Sequence, residues 1–193
     1  MPRLLLASSL VIASVASAAG PARPMSPQEV PESLAPAVAR GDAAIDVLRD
    51  RIYKRLNALM MQGGPVAAVG LCASEAPRLS REVGEAHGVE IGRTSFRVRN
   101  AANAPRPWAA SYVAAAAGKK AGEVKPAVFD LGDRVGLLRP LAMMPACVRC
   151  HGPADALAPE LKSELARRYP QDQGAGFAAG DLRGFFWVEV KKR

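Results

Sequence analysis

Cysteine, histidine and aromatic residues are scarce in this 193-residue chain, and long apolar runs are missing. Three cysteines are too few for a disulfide-stapled scaffold. Beyond the N-terminus no stretch approaches the roughly 18 consecutive apolar residues that a spanning helix needs, which argues against an integral membrane protein. No Lys/Arg run is longer than Lys191-Lys192-Arg193, so the net charge of +8 is dispersed. Dispersed charge suits solubility or an acidic partner better than a nucleic-acid footprint. No internal repeat and no second domain are visible. With 49% hydrophobic and 5% aromatic residues, the composition is that of an ordinary globular protein.

The first 18 residues read as an export signal. Met1-Pro2-Arg3 carries one positive charge, Leu4 to Val15 is an apolar core, and Ala16-Ser17-Ala18 is an A-x-A cleavage site. Cleavage after Ala18 removes Arg3 and lowers the charge of +8 to +7. An exported chain is expected in the periplasm, an oxidising compartment where free thiols are unusual. Residues 19–36 hold Pro21, Pro24, Pro27, Pro31 and Pro36 and read as a tether with little structure. The remainder, 37–193, reads as one domain.

Ile45, Leu48, Ile52, Leu56 and Leu59 recur at spacings of three and four, the stripe of a long amphipathic helix. Gly63-Gly64 ends it, and Pro65 is suited to open the next. Pro77 predicts a kink or break in that second helix. Val89 to Val98 reads as a strand with a possible bulge at Gly92. Val128–Leu131, the turn Gly132-Asp133 and Val135–Leu141 read as a hairpin. Glu160–Arg168 reads as a helix and Phe185–Val190 as a final strand. Helices followed by strands predict an α+β fold with an antiparallel sheet.

Cys147-Val148-Arg149-Cys150-His151 is C-x-x-C-H, the attachment sequence of a c-type haem. The two thiols add to the two vinyl groups of the porphyrin, and the adjacent imidazole takes the iron from one face. A thioredoxin-like site does not need the histidine. A zinc site needs further ligands, typically a second C-x-x-C or a His pair, which the chain lacks. One motif implies one covalent haem. The residues leave the sixth iron position open between Cys72, Met143 or Met144, and an open or His87-ligated site. Cys72 shares an apolar helix face with Val69 and Ala76. It is either an inert buried thiol or an axial thiolate that lowers the potential.

Three blocks carry a family likeness. They are Val69-Gly70-Leu71-Cys72 with Ala76-Pro77; Gly92 to Asn100 with Asn103, Pro105 and Trp108; and Cys147 to Gly152 with Tyr169-Pro170-Gln171-Asp172, Gly176-Phe177 and Gly180 to Gly184. The chain resembles a family of exported single-haem c-type proteins, a domain of unknown function with a PAS-like fold. The resemblance implies an antiparallel sheet flanked by helices, a long N-terminal helix and a His/Cys-ligated iron, with His151 and Cys72 as the metal ligands. Ala109-Ala110 departs from the expected polar helix start after Trp108. Arg97, Arg99 and Lys119 are candidate partners for the propionates. Phe186 and Trp187 read as core, and His87 as a surface residue.

The expected function is a periplasmic haem protein of low potential acting in redox or gas sensing. Its partner is a redox protein or a small diatomic ligand, with no nucleic acid and no stable membrane insertion. Release of Cys72 on reduction or gas binding would be the switch. The alternative is plain electron transfer, with an acidic partner favoured by the positive charge. An enzymatic role is not expected, because it needs an open iron position and an acid or base beside it. No kinase, receptor or cyclase module follows within these residues, so a sensor of this kind is expected to signal through a separate protein.

Overall fold

The computed structural model describes residues 22–192; the expected export signal lies outside them. Five strands form one antiparallel sheet in the order β1 (Pro24–Met25), β3 (Ala127–Asp130), β4 (Arg134–Ala142), β5 (Leu182–Lys191) and β2 (Val89–Thr94). The helix α1 (Ala35–Gly70) lies across one face. Helices α2 (Ala76–His87), α3 (Ala110–Ala115), α4 (Val148–His151) and α5 (Pro159–Arg168) complete the fold. This is the expected α+β, PAS-like arrangement with its long N-terminal helix.

The α1 stripe works as its spacing predicts over its first half. Ile45, Leu48 and Ile52 are buried against Val135, Leu137, Val188 and Val190 of the sheet. Each such side chain contributes about 1.5–3 kcal/mol of apolar burial. Past Ile52 the helix leaves this core, and Leu56 and Met60 instead line a cavity. Gly63 and Gly64 depart from helical geometry, Gly64 with φ +66°, so the helix breaks there. Pro65 follows as the first residue of a new helical segment.

Ahead of Pro77 the segment Leu71–Glu75 winds as a π turn. Proline has no N–H for the Ala73 carbonyl and its ring crowds that carbonyl, so the chain widens by one residue rather than stopping. Cys72 sits on this widened turn. The run Glu32–His87 contains a window apolar enough to cross a membrane, of which only 17% is buried. That window spans the Gly63-Gly64 break, and several of its residues line the cavity. A cavity wall accounts for apolar character without burial.

Three expectations need correction. The Pro-rich segment is not a plain tether: Pro24 and Met25 pair with Phe129 and Val128 at the sheet edge, and α1 already starts at Ala35. An edge strand tolerates proline because its outer N–H is not needed. The strand from Val89 ends at Thr94 rather than Val98. There the Ser95 hydroxyl donates to the Arg183 carbonyl at 2.8 Å and accepts the Arg97 N–H at 3.0 Å, turning the chain away. Gly92 is not bulged. It pairs in register with Trp187, and a Cβ there would lie 2.9 Å from the indole.

Candidate functional site

A cavity of about 220 Å³ opens between the end of α1, the π turn, β2 and the segment around α4. One buried water needs only about 15 Å³, so the space suits a larger guest. Its walls are mainly apolar, with Ile52, Leu56, Val69, Leu71, Leu141 and Met143 among them.

Cys72, Cys147, Cys150 and His151 all line this one cavity. The fold thus brings together residues 75 or more positions apart in sequence. Cys147 and Cys150 stand three apart around the single turn of α4, on neighbouring positions of one side. All three thiols are unpaired and half-buried. Burial, opposed in part by Arg99, pushes the Cys150 thiol up.

His151 is fixed from behind. Its Nδ1 lies 2.6 Å from the Gly174 carbonyl, which can only accept, so Nδ1 carries the proton and donates. The other ring nitrogen, Nε2, keeps its lone pair. Burial first, and then the charges of Arg183 and Arg99, hold the imidazole pKa well below its usual value. A neutral imidazole anchored through its other nitrogen is the form that ligates a metal. Among the described residues, no three His, Cys, Asp or Glu side chains converge closely enough to hold a bare metal ion.

The loop that anchors His151 is itself clamped. Asp172 Oδ1 accepts the Gly174 N–H at 2.6 Å, while Oδ2 accepts from Arg99 Nε at 2.9 Å. Arg99 Nη2 also donates to the carbonyls of Cys150, at 2.8 Å, and Gly174, at 3.1 Å. The N–H groups of Gly176 and Phe177 donate to the carbonyls of Gly152 and His151. Arg99 therefore ties the C-x-x-C-H turn to the loop after α5.

The other expectations divide. Met143 and Met144 line the cavity, the first buried and the second 41% exposed. His87 is half-buried at the end of α2 and does not line it. Arg97 lies outside, bonded to the Gln173 and Ala175 carbonyls and stacked over Phe177. Lys119 is exposed and also away from the cavity. Phe186 belongs to the main core, and Trp187 packs beneath Arg106. The helix after Trp108, α3, is six residues long.

Sequence reasoning missed Arg93, Arg183 and Tyr169, which also line the cavity. Tyr169 packs with Val69, Ala73 and Cys150. Its hydroxyl is buried with no hydrogen-bond partner among the described residues. Burial, then the neighbouring Cys72, pushes its pKa up to about 12.

No curated protein sequence matches the chain. Among solved structures, the crystal structure of the cyanobacterial heme-protein Tll0287 matches with a TM-score of 0.59 at 19% identity, covering 85% of this chain and 98% of that one. At that identity the likeness shows the fold. The profile of the Tll0287-like family matches residues 14–191. The chain belongs to the Tll0287-like family.

Proposed function

We propose that this chain is a periplasmic haem protein that carries one covalent c-type haem and works in redox or gas sensing. The observation that carries the reading is Cys72 on the wall of the same apolar cavity as Cys147, Cys150 and His151. Cys147 and Cys150 would hold the cofactor by thioethers: each S–H adds across one vinyl double bond, the sulfur to one carbon and the hydrogen to the other. His151 Nε2, oriented by the Gly174 carbonyl, and the Cys72 thiolate would be the two protein ligands to the iron. The haem supplies a one-electron change at iron and a place for a diatomic ligand. The relative of known structure is described as a heme-protein, which supports the haem-binding part of this reading.

The residues present fit such a group. The walls are mainly apolar, the imidazole is held neutral, the thiols are free, and arginines line the same space. Cys72 rides on a π turn, an irregularity often found at functional sites. We assign the signalling change to release of Cys72.

The test compares the ferric absorption spectrum of the haem-loaded protein with that of Cys72→Ala. Loss of thiolate charge-transfer features in the variant is the expected result; coincident spectra remove Cys72 from the iron. Covalent attachment is read separately, as haem that stays with the denatured chain and is lost in Cys147→Ser/Cys150→Ser. Electron transfer is the second reading, favoured by the net charge of +8, which suits an acidic docking partner. Carbon monoxide binding to the reduced protein supports sensing over simple electron transfer.

A further inference from the structure

Two arginines flank Phe186 on the face of the sheet that α1 covers. The register sets Arg139 of β4 and Arg93 of β2 opposite that phenylalanine, one on each side. Arg139 has an anion of its own: its Nε and Nη2 donate to the two carboxylate oxygens of Asp42 on α1, at 2.7 and 2.9 Å. Arg93 has no carboxylate among the described residues and lines the cavity instead. Val89 and Ile91 precede it on the same face and pack against the main core. The period-two pattern thus delivers a cation where a third aliphatic side chain would continue the face.

The charges around the cavity do not balance. Arg93, Arg99 and Arg183 all line it. Asp172 answers Arg99, at 2.9 Å. Arg183 donates to neutral acceptors, the Ser95 hydroxyl at 2.9 Å and the Arg97 carbonyl at 3.0 Å, and lies over the Phe177 ring; it shares the field of Asp172 with Arg99 but makes no ion pair of its own among the described residues. Two cations are left over in a half-buried setting, where an unanswered charge is costly. A guest that brings two negative charges would balance them. The planar guanidinium fork is matched in shape to a carboxylate.

We propose that Arg93 and Arg183 form an anion site on the cavity wall that takes the two propionate carboxylates of the cofactor. The assignment rests on the haem reading above and adds to it the residues that hold the porphyrin's charged edge. It replaces Arg97, Arg99 and Lys119, which the structure places elsewhere or engages otherwise. Burial first, then the charges of Arg99 and Arg93, lower the Arg183 pKa to about 10 even with Asp172 nearby, in line with the same excess of positive charge.

The experiment uses haem-loaded wild type, Arg93→Gln and Arg93→Lys. Haem content is measured first, by absorbance. A wild type that binds no haem overturns both this assignment and the reading beneath it. With haem bound, the readouts are the propionate bending band in resonance Raman spectra and the midpoint potential. Arg93→Gln is expected to shift the band and lower the potential, because a carboxylate stripped of its cation favours ferric iron. Arg93→Lys keeps the charge but loses the fork. It should hold the potential near that of wild type and still move the band, an arm that stands even if the glutamine variant does not fold. A band unmoved in both variants overturns the assignment. So does a wild-type potential that follows inorganic phosphate concentration at fixed ionic strength, since Arg93 would then be holding a free anion.

Discussion

Replacing Asp172 by Asn isolates the charge that balances Arg99. Asparagine keeps an oxygen able to accept the Gly174 N–H, so the turn that presents the Gly174 carbonyl to His151 is retained. What disappears is the anion beside a guanidinium only 8% exposed, itself near Arg93 and Arg183. Breaking a buried pair from one side costs about 3–5 kcal/mol; the partial exposure of Asp172, 16%, puts this case at the lower end, about 3 kcal/mol. For a domain of this size that is a fall in Tm of roughly 6–12 °C. Arg99→Met should cost a similar amount, since it leaves a carboxylate and two carbonyls without their donor. The double variant leaves no unanswered charge at this pair. Its cost should be about 4 kcal/mol rather than the sum of about 6, a coupling of about 2 kcal/mol. Urea unfolding followed by far-ultraviolet circular dichroism gives all three values. If Asp172→Asn stays within about 0.5 kcal/mol of wild type, or the single costs simply add, the pair is not the clamp described above.

Further predictions come from other parts of the sheet. Glu189 is 8% exposed; burial raises its pKa, but hydrogen bonds from Arg106 and Trp108 outweigh this and hold it below the ordinary 4.5. Its stabilising effect is therefore present above that value and lost as the pH falls through the folded one. Glu189→Gln should flatten the decline of urea stability as the pH falls below about 5; a decline as steep as in wild type would remove Glu189 as its source. At Gly184, where φ is +152°, an added Cβ would meet the Thr94 carbonyl oxygen at 2.1 Å. Gly184→Ala should cost more than about 3 kcal/mol or prevent folding. Gly122→Ala, with nothing within 4 Å, should change stability by no more than about 0.5 kcal/mol, and equal effects at the two sites would contradict the packing described.

What could be read from the sequence was local or periodic. The α1 stripe shows because burial against a flat sheet selects every third or fourth residue. The β3–β4 hairpin shows because Gly132-Asp133 marks its turn. The C-x-x-C-H cluster shows because its residues are adjacent. What stayed hidden depends on partners far along the chain. Arg99 looks like a free cation until Asp172, 73 residues away, is folded against it, and Gly92 looks like a bulge until Trp187 is laid over it. Pro24 and Met25 look unstructured because a two-residue edge strand has no period to detect. Arg93 is the instructive case between these limits. Its inward register could be counted from Val89 and Ile91, but its meaning could not. Arg139, on the same face, has the same inward register and is neutralised by Asp42. Only the folded chain shows which of the two has an anion and which does not. Inward arginines are therefore legible in sequence, whereas an unanswered inward arginine, the kind that points to a ligand, is a property of the fold.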